Sequence, residues 1–186
     1  MKQLIFILLL IPIACFGQNV RMTDDSIPVE NGKVVFSREY FPNMTKEQIH
    51  AKIKSNVEGA IVKNGGMVVN PDDSISGLMV FKVLDYLEMQ KNNWSVFAFY
   101  MQYIYAFEYK DNYCKASIRN IRYVELEEMN EVSSGNKKLS EMDSFPGEFI
   151  LVDKKYKRLT VKDASNKIIT KTLERVDEIF DDEIVF

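Results

Sequence analysis

The run from Trp94 to Tyr123 constrains this chain more than any other. Aromatic and β-branched residues dominate Trp94–Tyr109 and return in Tyr113–Tyr123, while Lys110-Asp111-Asn112 between them is turn chemistry. The whole stretch therefore reads as one long β-hairpin. In the first arm the odd positions Phe97, Phe99, Met101, Tyr103, Tyr105 and Phe107 are nearly all large, whereas the even ones include Ala98, Gln102, Ala106 and Glu108. The odd face is expected to lie under helices. In the return arm Cys114, Ala116 and Ile118 share one face, and Tyr113, Lys115, Ser117, Arg119 and Tyr123 share the other.

The flanking segments supply partners for this hairpin. Lys33 to Phe41 alternates, with Val34, Phe36, Arg38 and Tyr40 against Val35, Ser37 and Glu39, and Pro42 ends this first strand. Thr45-Lys46-Glu47-Gln48 is a capping box, and Ile49, Ile53, Val57 and Ala60/Ile61 follow at helical spacing, so a helix is expected over 46–62. Asn64-Gly65-Gly66 stops it, a short strand Met67-Val68-Val69 follows, and Asn70-Pro71-Asp72-Asp73 is a turn. From Ser76 to Met89 the chain alternates again, with Gly77, Met79, Phe81, Val83, Leu87 and Met89 on the face expected to be buried. Leu78, Val80, Lys82, Leu84, Tyr86 and Glu88 fall on the other, and Gln90-Lys91-Asn92-Asn93 turns into the hairpin.

Beyond the hairpin the pattern weakens. Glu125 to Gly147 is charged and Ser/Asn-rich, with Ser133-Ser134-Gly135-Asn136 and Phe145-Pro146-Gly147 as breakers, and reads as an irregular excursion. Phe149-Ile150-Leu151-Val152 is strand-like, and the basic run Lys154-Lys155-Tyr156-Lys157-Arg158 reads as a solvated loop or, less simply, a dock for anionic lipid or polysaccharide. Ser165 caps a last helix whose stripe is Ile168, Ile169, Leu173, Val176, Ile179 and Phe180.

The N-terminus indicates where such a chain works. Lys2 precedes an apolar run from Leu4 to Ala14, and Cys15-Phe16-Gly17 places small residues where a signal peptidase reads, so residues 1–17 are expected to be a signal peptide cleaved before Gln18. The run is shorter than the roughly 20 residues a membrane span needs. The expected protein is periplasmic or secreted, without a transmembrane segment after cleavage. Lipidation at Cys15 is a rival reading, opposed by Pro12 and Ile13 where a lipoprotein signal carries a Leu-like and a small residue. Residues 18–31 read as a flexible leader, and 32–183 as a single α+β domain, for which 186 residues at 46% hydrophobic content suffice.

Catalytic signatures are absent. His50, the only histidine, falls off the apolar stripe of its helix and reads as a solvated residue. Cys114 reads as a buried small hydrophobe rather than a nucleophile paired with His50. Asp72 and Asp73 lack the ligand series of a calcium loop, and the acidic end of the last helix, Asp177, Glu178, Asp181, Asp182 and Glu183, projects around its axis rather than converging. No metal, cofactor or catalytic residue is assigned. A net charge of −3 with no basic field argues against nucleic acid as a partner.

Taken in order, the signal peptide, Gly32-Lys33-Val34-Val35-Phe36, the helix opening at Thr45-Lys46-Glu47, the strand ending Ile118-Arg119-Asn120-Ile121-Arg122-Tyr123 and the final Thr172-Leu173-Glu174-Arg175-Val176-Asp177-Glu178-Ile179-Phe180 resemble an exported Gram-negative bacterial domain of unknown function described as having a TATA-binding-protein-like fold. The resemblance spans nearly all of 30–181, apart from a longer, more charged segment over 127–160. It implies a curved antiparallel sheet with two helices packed on one face, and no activity. Fold likeness does not import DNA binding.

Two function classes follow. The first is a non-enzymatic binding module whose open sheet face takes a small ligand or an envelope protein, with Lys82, Tyr86, Tyr100, Gln102, Lys115, Arg119 and Tyr123 on the platform. The second is a carboxylate-dependent hydrolase of the cell envelope, using Asp85 and Glu108 as acid and base, which requires that the two converge.

Overall fold

Among the described residues of the computed structural model (27–63, 67–68, 76–91, 96–152, 164–182 and 186), seven strands pair antiparallel around the expected hairpin. Its arms are β5 (Val96–Lys110) and β6 (Tyr113–Glu125), and β4 (Leu78–Lys91) lies along the far side of β5. Completing the order β1-β2-β6-β5-β4-β3 are β1 (Val29–Glu30), β2 (Lys33–Tyr40) and β3 (Met67–Val68), while β7 (Phe145–Pro146) joins β6 beyond the end of β2. Residues 29–30, read from sequence as the end of a leader, thus form a strand of the sheet, and Ile27 just before them is buried.

Two long helices cover one face. The capping box forms as expected: the Gln48 amide donates to Thr45 Oγ1 at 3.4 Å and the Thr45 amide to Gln48 Oε1 at 2.9 Å, opening α1 (Lys46–Lys63). Ile49, Ile53 and Val57 project from it into the core. Helix α4 (Ala164–Asp182) buries the whole expected stripe from Ile168 to Phe180. Ser165 falls inside this helix rather than capping it, because the helix starts a residue earlier.

The core is the odd face of β5, as the alternation required. Tyr103, Tyr105 and Phe107 are fully buried, Tyr105 and Phe107 with ring centroids 4.4 Å apart, and Phe81 meets Phe107 edge-on at 6.0 Å. Aromatic pairs in such geometry contribute about 0.5–1.5 kcal/mol beyond the area they bury. The hairpin tip is tied to α1: the Lys46 amide donates to Asp111 Oδ1 at 2.7 Å, and the Asn112 amide to the Met44 carbonyl at 2.9 Å. A carboxylate there also meets the positive end of the helix dipole. At the start of β4, Gly77 has φ +76°, and a Cβ on it would lie 2.5 Å from the Tyr109 carbonyl oxygen, so only glycine closes this corner.

Two expectations fail between 125 and 152. The segment read as irregular forms α2 (Leu126–Ser133), a 3₁₀ turn over Leu139–Glu141 and β7, and Phe149-Ile150-Leu151 of the strand-like run instead lie in α3 (Glu148–Leu151), a single helical turn that Val152 caps. A short apolar run fits strand and helix alike. Here the turn buries Leu151 and leaves Phe149 75% exposed, while Glu148 accepts a hydrogen bond from the Val34 amide at 3.3 Å. The expected signal peptide, the Asn64 and Asn70 turns with Asp72 and Asp73, the Asn92–Asn93 turn and the basic run 154–158 lie outside the described residues.

Candidate functional site: the open face of the sheet

Opposite the two long helices, strand register sets side chains in rows. One row is Val35, Arg119, Ile104 and Lys82; the next is Arg122, Gln102 and Leu84; beyond it come Val124, Tyr100 and Tyr86. In the other direction lie Ser37, Ser117, Ala106 and Val80, then Glu39, Lys115, Glu108 and Leu78. Lys82, Tyr86, Tyr100, Gln102, Lys115 and Arg119 therefore share the face that the alternation assigned them. Lys82 and Arg119 are exposed, and the other four are half-buried.

Tyr123 does not share it. Its ring is fully buried under α4, and its hydroxyl lies 2.6 Å from the Thr172 hydroxyl. The cause is a β-bulge: Gln102 pairs with Arg122 but Ile104 pairs with Arg119, so β6 carries one residue more than β5 across this interval. Asn120 takes the left-handed conformation at φ 55°, which Asn tolerates better than most residues. Past the bulge the parity of β6 reverses. Ile121 and Tyr123 turn inward, and Val124 takes the place opposite Tyr100 that unbroken alternation gives Tyr123. The apolar spacing 114, 116, 118, then 121 was the sequence sign of this switch.

The face is not open along its whole length. Leu84 and Val124 are buried beneath Met129 of α2, with Tyr100 and Met142 packed beside them. Tyr86 and Tyr100 pair edge to face at 5.4 Å, and partial burial, then the Glu88 carboxylate, raises the Tyr86 hydroxyl pKa. Arg122 is held by neutral acceptors, donating from Nε to Ser144 Oγ at 2.7 Å and from Nη2 to the Ser144 carbonyl at 2.6 Å. The excursion so anchored is braced internally by Lys137, 2.5 Å from Glu128 and 3.2 Å from Asp143.

Charges on the two faces are handled differently. Beneath the helices Arg175 Nε donates to the buried Asp85 carboxylate at 2.6 Å, and Arg38 pairs with Asp181 and, at 3.8 Å, Asp177. On the open face, Lys82, Arg119 and Arg122 have no carboxylate partner among the described residues. Asp85 and Glu108 lie on opposite faces, Asp85 buried and Glu108 exposed, so the acid–base pair required of a hydrolase is not assembled. His50, read as solvated, places Nδ1 2.7 Å from the Tyr109 hydroxyl, a contact across the fold that no local pattern could show. Cys114 is fully buried as expected, and burial pushes its thiol from 9.0 to about 12.

Among the described residues no group of three or more metal-ligating side chains converges, and no helix is long and apolar enough to cross a membrane. No family model matches the chain, and no curated protein matches it in sequence. Two solved structures do match in fold. One is a DUF4468 family protein from Bacteroides ovatus, with a TM-score of 0.62 and 18% identity over 83% of this chain and 85% of that one. The other is a TBP-like protein from Parabacteroides distasonis, with a TM-score of 0.59 and 15% identity over 84% of this chain and 93% of that one. The fold is therefore the TATA-binding-protein-like α+β fold that the sequence resemblance implied, shared with domains of unknown function.

Proposed function

We propose that this chain is a non-enzymatic binding module that engages a protein partner through the open face of its sheet. One observation carries the reading: Lys82, Arg119 and Arg122 stand in adjacent rows of an accessible face with no carboxylate partner among the described residues, whereas Arg38 and Arg175 on the helical face are paired. The Tyr86–Tyr100 pair and the two arginines are residue types that recognition surfaces favour. The N-terminal pattern of a positive residue, an apolar run and small residues supports a periplasmic or secreted location.

Native mass spectrometry of the protein recovered from its own envelope fraction tests this, run on wild type and on the Lys82→Glu/Arg119→Glu variant. The expected result is a chain beginning at Gln18 that retains a stoichiometric companion lost from the variant. A companion held equally by both would remove the face from the reading, and an uncleaved chain would remove export.

A further inference from the structure

We infer that the segment docking on this face is acidic: a short, extended stretch of a partner protein whose carboxylates meet Lys82, Arg119 and Arg122. The inference rests on the binding-module reading and names the chemistry of its partner. Lys82 and Arg119 flank Ile104 in one row, two strands apart, which sets their Cα atoms about 10 Å from each other. Both side chains are long enough to reach a carboxylate lying over Ile104. Arg122 stands beside Arg119 across the bulge with its guanidinium fixed by Ser144, so part of the ordering cost of a charge-assisted hydrogen bond is already met. Gln102 adds a neutral donor between them.

Charge zoning decides among anionic partners. Along the strands from the Lys82–Arg119 row, about 13 Å away, lies the row Glu39–Lys115–Glu108, net negative. In the other direction α2 closes the face and carries Glu127, Glu128 and Glu131. The positive zone is short and bounded by acid. A uniform polyanion such as nucleic acid or a sulfated glycan runs past it onto like charge, whereas a peptide sets a few carboxylates over the cations and other side chains elsewhere. Val80, Ala106 and the Tyr86–Tyr100 pair offer such a peptide apolar contact beside the charges.

The test is fluorescence anisotropy with a labelled Glu-rich peptide of about eight residues, enough in extended form to cross the face at ~3.4 Å per residue. The full chain is expected to bind it, with affinity falling as salt rises. Lys82→Glu/Arg119→Glu is expected to weaken binding roughly tenfold or more, since each substitution turns an attraction into a repulsion. Lys82→Gln/Arg119→Gln is expected to fall between. Lys167→Glu/Lys171→Glu, which makes the same net charge change on α4 at the opposite face, is expected to bind as wild type does. Equal binding of a Gln-for-Glu peptide, equal losses in the two charge-reversed variants, or tighter binding of heparin or duplex DNA would each overturn the inference. If a native companion depends on Lys82 and Arg119 while the Glu-rich peptide does not bind, the module stands and the acidic partner falls. If both peptide and companion ignore these residues, the module reading falls as well.

Discussion

The two faces of this sheet use arginine in opposite ways. Under the helices Arg38 and Arg175 each meet carboxylates, and Asp85 opposite Arg175 is only 1% exposed. On the open face Arg119 and Arg122 meet none among the described residues. A buried charge without its partner is costly, so on the helical side Arg38 and Arg175 come with their counterions. Solvent removes that requirement on the other side, and what remains there is available for an external anion. The contrast separates residues that hold the fold from residues that face solvent.

Substitutions can break that contrast, the sharpest first. Asp85→Ala removes the buried carboxylate that the Arg175 guanidinium meets at 2.6 Å, and is expected to cost about 3–5 kcal/mol in urea unfolding. A loss near zero would mean that solvent reaches the pair and that the two faces differ less than the geometry shows.

Alkaline pH probes the same interior. The Cys114 thiol ionises near 9.0 when exposed and at about 12 when folded, so between those values the unfolded chain releases a proton that the folded chain keeps. Stability is therefore expected to fall as pH rises through this window, by up to about 1.4 kcal/mol per unit. Cys114→Ala should flatten that part of the unfolding profile. Partly buried Tyr40 and fully buried Tyr123, both raised by burial, add to the decline above the ordinary tyrosine range. At pH 8 a thiol reagent should label the native protein only as fast as it opens, and rapid labelling would place Cys114 near the surface.

Smaller effects sharpen the comparison. Tyr123→Phe removes the hydrogen bond to Thr172 without emptying the space, and is expected to cost about 1 kcal/mol in the same unfolding measurement. Lys82→Ala and Arg119→Ala, on the face that alternation also assigned to Tyr123, are each expected to change stability by less than about 0.5 kcal/mol. A larger loss at either position would reveal a structural partner and weaken the case for binding.

Much of this architecture was legible because its long elements carry unambiguous periods. The odd positions of β5, the capping box at Thr45 and the stripe from Ile168 to Phe180 each point to one local structure and one buried face. Short elements lack that redundancy. Helix α2 has eight residues and no side-chain cap at Glu125, and α3 is one turn whose apolar residues fit either conformation. What holds both is contact with the sheet, Met129 on Leu84 and Val124, and Leu151 in the main core. For the candidate site, Lys82, Tyr86, Tyr100, Gln102, Lys115 and Arg119 were readable because strict alternation holds up to Arg119. Tyr123 was misread because alternation was carried through a residue that does not alternate.

That residue also determines which kinds of genetic change the site can survive. Exchanging one side chain for another in β6 alters a single position on a single face. Straightening the strand with Asn120 retained would instead turn Ile121 and Tyr123 outward and Arg122 and Val124 in, and would cost β7 its register on Arg122 and Tyr123, whereas deleting Asn120 removes the extra residue and keeps Arg122 opposite Gln102. Lineages that diversify this platform can thus lose the extra residue and keep its faces, and an alignment gap at Asn120 would mark a straighter strand carrying the same surface.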